Sequence, residues 1–122
     1  MKPIEIKWLA KPEVHDYAAA ASYLMLIFPP EETDFFVKKL KAVSVTEFKA
    51  KDIFRASRLS LLGVSNSHVE KDRKAIKKSK KLSPILLVRD MSTKSVIIAD
   101  GYHRMCAVYS FNEDAFIKCK IV

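Results

Sequence analysis

Glycine is nearly absent from this sequence: of 122 residues, only Gly63 and Gly101 lack a side chain. Cysteine is as scarce, and Cys106 and Cys119 alone are too few for a disulfide framework. No basic segment leads into an apolar core with a small-residue cleavage site, so no secretory signal is visible and a cytoplasmic protein is expected. The longest apolar stretch, Tyr17 to Phe28, is interrupted only by Ser22 and falls short of the ~18–20 residues that span a bilayer. No membrane partner is expected. A closed four-ligand zinc site would consume nearly all of the two cysteines and three histidines, so no metal site is expected. Internal repeats are missing, and the length suits one domain with a single core.

Positive charge, by contrast, is abundant. The net charge is +8, and all of that excess lies in residues 49–81, where lysines and arginines far outnumber Asp52, Glu70 and Asp72. A one-sided field of this kind concentrates anions, although a solvated helix with a lysine-rich linker has the same composition.

Hydrophobic spacing predicts the elements. From Pro12, the residues Val14, Tyr17, Ala18, Ala21, Leu24, Met25 and Phe28 recur at helical steps. The second half of this helix is apolar on nearly every side, which predicts burial between layers. Pro29 and Pro30 are expected to stop it. Glu31, Glu32 and Asp34 then suit the first turn of a second helix with Phe36, Val37, Leu40 and Val43 as its inner stripe. Residues 12–43 read as an αα-hairpin.

Val43, Val45 and Phe48 suggest a short strand, and residues 51–62 a short helix or irregular turn. Residues 63–67 read as a loop, with Ser67 and Glu70 as a capping box for a helix over 68–78. Pro84 to Val88 has the continuous apolar character of a central strand. A turn, a strand at 95–99, a helix at 101–111 and a strand at 116–122 complete an α+β domain with a mixed sheet. Its domain division is a helical hairpin over 1–43 and a core over 44–122.

One glycine stands in "IIADGYHRMCAVY", where a buried strand runs out and a helix begins. The first amides of a helix lack internal partners and carry the positive end of its dipole. Asp100 can cap them; alternatively, the amides of Gly101 to Arg104 can hold an oxyanion. Glycine admits an oxygen close to the backbone, Arg104 adds a fork of donors suited to phosphate, and His103 adds one or two more.

The stretch "LSPILLVRD … SVIIADGYHRMCAVY … AFIKCKIV" resembles the end of a ParB/sulfiredoxin-superfamily domain, and "SNSHVEKDRKAIKKSKK" resembles the helix that faces the corner there. The resemblance covers roughly residues 44–122 and leaves the hairpin as an addition. It implies a ParB/sulfiredoxin-like mixed sheet and a pocket for the phosphates of a nucleotide, with magnesium as the metal that accompanies such a ligand. By position, Gly101, Tyr102, His103 and Arg104 match the corner, and His68 and Lys71 match the facing helix. His103 is the candidate acid or base for nucleotide hydrolysis. Two departures stand out. Sulfiredoxins carry a cysteine where this chain has Tyr102, which cannot supply the thiolate for sulfinic-acid repair. ParB proteins carry Gly-Glu-Arg-Arg, and Tyr-His here replaces Glu-Arg.

Two readings from other classes stay open. Lys74, Lys77, Lys78, Lys80 and Lys81 form the electrostatic footprint of a DNA-binding accessory protein. Trp8, Tyr17, Tyr23, Phe28, Phe35 and Phe36 suit either packing of the hairpin on the sheet or a face for a partner, including a second copy of the chain. Cys119 alternates with Ile117 and Ile121 and is expected in the core, His15 is expected in solvent, and Cys106 lies one turn below Tyr102.

Overall fold

The computed structural model describes residues 4–60 and 66–122. Helices α1 (Val14–Leu24) and α2 (Pro30–Ala42) lead into strand β1 (Thr46–Lys49) and helices α3 (Ala50–Ser57) and α4 (Ser67–Lys77). Strands β2 (Ile85–Asp90) and β3 (Ser95–Asp100), helix α5 (Tyr102–Phe111) and strand β4 (Phe116–Ile121) follow. This is an α+β domain, and the order of elements is the one the spacing predicts. The sheet runs β1-β4-β2-β3 and is mixed: β4 is antiparallel to β1 and parallel to β2, which is antiparallel to β3.

β2 is apolar without alternation because both of its faces are covered. Ile85 and Leu87 join the cluster under α3, α4 and α5, while Leu86 and Val88 join the one under α1 and α2. β4 sends Ile117 and Cys119 to the first cluster. Burial there pushes the Cys119 thiol up to about 11, so it is inert. Its neighbour Lys120 points the other way and is buried beneath the hairpin, where it donates to the Lys41 carbonyl at 3.2 Å and lies over the Tyr17 ring. That bond meets one of the orphan carbonyls at the end of α2.

Four local expectations need correction. α1 ends at Leu24, not at the prolines; Pro30 instead opens α2 at a position where a missing amide costs nothing. The apolar second half of α1 is not buried between layers, because only Ala20 and Leu24 are buried there, and Leu26 beyond it is 84% exposed. Val43 ends α2 as its C-cap, so β1 begins three residues later than the alternation suggests. α4 is capped by Asn66, whose side-chain oxygen accepts from the His68 and Val69 amides at 3.0 and 3.2 Å. Ser67 is already helical, and Glu70 pairs with Arg73 at 3.8 Å in place of the expected box. Gly63 and the end of the expected 51–62 helix lie outside the described residues.

The aromatics divide between three roles. Tyr17, Phe28 and Phe36 pack on the sheet under the hairpin, and Trp8 packs on the opposite cluster through a bridge to Leu82. Tyr23 and Phe35 remain exposed. None of the described helices is long and apolar enough to cross a membrane.

Candidate functional site: the β3–α5 corner

The chain leaves β3 through Asp100 and turns at Gly101, whose φ of +105° is a conformation that L side chains rarely adopt. The glycine has a second reason to be there. A Cβ at this position would lie 2.3 Å from Ile85 Cγ2 and 2.9 Å from the Arg104 guanidinium. The room beside the backbone, expected for a ligand oxygen, is therefore filled by the protein's own side chains.

α5 begins without a side-chain cap. Of the two alternatives, capping by Asp100 does not occur, because its carboxylate accepts from Arg104 Nη2 at 2.8 Å. The other terminal nitrogen of Arg104 lies 3.6 Å from Asp16, a buried carboxylate of α1 that also accepts from the Glu13 amide. Arg104 is thus enclosed by two carboxylates, and its Nε has no hydrogen-bond partner among the described residues. The expectation that it offers a free fork to a ligand is not met: the geometry commits both ends of the guanidinium to holding α1, β3 and α5 together. Asp100 is raised above its ordinary value, mainly by burial, against the lowering effect of Arg104.

His103 and His68 are the two expected site residues that do converge. Their rings, from α5 and α4, lie 4.8 Å apart at a tilt of 39°, and the Tyr102 ring flanks His103 at 5.7 Å. Burial holds His103 below its usual value, the His68 charge lowers it further, and Asp72 opposes both. Asp72, one turn after His68, is raised by burial while Arg104, His103, Lys71 and His68 pull it down. The site therefore holds a half-buried carboxylate that sequence reasoning did not single out. Its only sequence signal was the i, i+4 spacing to His68.

Tyr102 donates its hydroxyl to the Ser60 carbonyl. Cys106 is buried beside it, so no exposed thiol replaces the sulfiredoxin cysteine. A cavity of about 400 Å³ opens at the corner, lined by Ile98, Gly101, Tyr102, His103, Leu59 and, from the hairpin, Tyr23. Lys71 stands apart. It is exposed and lines a separate groove of about 440 Å³ on α4 with Lys74, Lys78 and Lys80; Lys77 and Lys81 lie outside that lining. Among the described residues, no group of three metal-binding side chains is placed to hold an ion. A magnesium ion would have to be held chiefly by the ligand's own phosphates.

Comparison with family models, with curated proteins and with solved structures gave no match.

Proposed function

We propose that the β3–α5 corner binds the phosphate of a small phosphorylated ligand, in the manner the ParB/sulfiredoxin resemblance implies for a nucleotide. The observation that carries this reading is the meeting of two imidazoles from different helices at a helix start with no side-chain cap. Unpartnered amides and the positive end of a helix dipole favour an anion, and imidazole nitrogens beside that helix start can donate to its oxygens. In this reading His68 and His103 hold the phosphate, and Arg104 acts indirectly by fixing the turn. His103 is also the group placed to carry a proton should phosphoanhydride cleavage follow binding.

The test is calorimetric titration with pyrophosphate and with nucleoside triphosphates, with and without magnesium. His68→Ala and His103→Ala should each weaken binding by about tenfold, the loss expected for one hydrogen bond to a charged group. Unchanged affinity in both variants overturns the reading.

One observation favours a second reading. Lys71, Lys74, Lys77, Lys78, Lys80 and Lys81 form no ion pair with any described residue, and four of them surround one groove. An unneutralised strip of this kind suits a nucleic-acid backbone.

A further inference from the structure

The sheet face under α3 carries a cavity that shares no lining residue with the corner. It measures about 230 Å³. Ile53 and Ala56 of α3 form one wall, and Leu87, Val96 and Ile121 of three strands form the other. The result is an apolar bowl open to solvent, too small for a nucleotide and closer in scale to an aliphatic amino acid.

Only two of its lining residues are charged. Arg89 is exposed at the end of the covered part of β2 and forms no side-chain hydrogen bond or ion pair with any described residue. Asp52 is exposed on α3, where it forms a loose i, i+3 ion pair with Arg55 at 3.7 Å and feels the charge of Lys51. Although both border the same bowl, Arg89 and Asp52 do not pair with each other. An apolar recess with a few converging polar groups is the ordinary form of a small-molecule site. The sign of those groups defines what fits. A guanidinium takes a carboxylate through two parallel hydrogen bonds, a carboxylate takes an ammonium, and the bowl takes a hydrocarbon side chain.

We infer that this cavity binds a free apolar α-amino acid, its carboxylate on Arg89, its ammonium on Asp52 and its side chain against Leu87, Val96 and Ile121. A fatty acid would bring its carboxylate up to Asp52 and gain nothing from it, and an alkylamine would bring its ammonium up to Arg89. The zwitterion satisfies both.

The experiment is titration of the protein with leucine, followed by calorimetry and by the methyl NMR signals of Ile53, Leu87, Val96 and Ile121. Leucine should bind saturably and shift those methyls. 4-Methylpentanoate, which lacks the amine, and 3-methylbutylamine, which lacks the carboxylate, should each bind about tenfold more weakly, as loss of one charge-assisted contact predicts. Arg89→Gln and Asp52→Asn should reproduce those two losses in leucine binding. Ala56→Leu, which fills the bowl and leaves both charges in place, should remove binding while the circular dichroism spectrum and melting temperature stay those of the parent. The inference is overturned if leucine, isoleucine, valine and methionine all fail to bind, if glycine binds as well as leucine, or if Arg89→Gln retains full affinity. Pyrophosphate titrations monitored at His103 report on the corner separately, so failure at one site leaves the other to be judged by its own result.

Discussion

Asp16, on the first helix, lies 3.6 Å from the Arg104 guanidinium on the last one. This contact makes the N-terminal hairpin part of the corner, although sequence reasoning treated the hairpin as an addition to a self-contained core. Tyr23 extends the same connection by lining the corner cavity. Asp100 completes the arrangement at 2.8 Å, so one arginine ties together α1, the end of β3 and α5.

Removing that arginine should unfold the protein more readily. Arg104→Met leaves two largely buried carboxylates without their cation, and breaking a buried pair from one side costs about 3 kcal/mol. Urea unfolding should show the loss. Adding Asp16→Asn to the variant should recover part of it, since one of the two uncompensated charges is then gone. If Arg104→Met unfolds at the parental midpoint, the enclosure described here does not contribute to stability.

Gly101→Ala should be costly for two independent reasons. The positive φ carries a penalty of roughly 1–2 kcal/mol for an L side chain, and the new methyl must displace Ile85, adding about 1–3 kcal/mol. A melting temperature within a degree or so of the parent would contradict both. Phosphate binding by whatever folded fraction remains should be weakened as well, because α5 starts at this turn.

The depressed His103 pKa has a definite sign in stability. Below the ordinary value of 6.5 the unfolded chain takes up a proton before the folded one does. Its contribution is therefore complete above that value and is lost as pH falls through the lower folded value. Melting temperatures measured from pH 7.5 down to about pH 5.5 should fall, and His103→Gln should flatten that dependence. Asp72 acts in the opposite sense in a more acidic window: its raised pKa contributes stability present below 3.8 and lost as pH rises through the folded value. Asp72→Asn should steepen the His103 dependence, because the carboxylate opposes the lowering of that imidazole. A steeper slope in His103→Gln than in the parent would contradict this assignment.

If the lysine groove holds a nucleic-acid backbone, the logarithm of duplex affinity should fall linearly with the logarithm of salt concentration. Each phosphate neutralised contributes about 0.9 to that slope. Lys74→Gln with Lys78→Gln should then reduce the slope by roughly 2 without altering pyrophosphate binding at the corner. An unchanged slope would remove the groove from consideration.

How far the structure was legible differs from element to element. β2 could be placed at the sheet's centre because Ile85 to Val88 carries no polar residue on either face. The Gly101 turn could be placed because a β-branched run gives way there to helical spacing. The boundaries of α1 and β1 could not. Apolar residues at 25–28 continue the helical period, yet the chain must reverse before Pro30, and a turn buries little of what it carries. The cap of α4 is ambiguous in the sequence, since Asn66 and Ser67 are both good N-caps and only the backbone geometry selects Asn66.

The site divides the same way. His68, His103, Tyr102 and Arg104 were each visible as residue types suited to phosphate, but their roles were not. Neither Asp16, which with Asp100 encloses Arg104, nor Asp72, which opposes the lowering of His103, stands out as a site residue in the sequence. The amino-acid order by itself determined the elements, their sequence and the glycine at the corner, because periodicity and backbone preference act within a turn or two of the chain. The tertiary structure alone decided which carboxylates take Arg104, that His68 meets His103, and that Asp52 and Arg89 border one apolar bowl. Charge pairing depends on which surfaces the packed sheet brings face to face, and no local pattern records that.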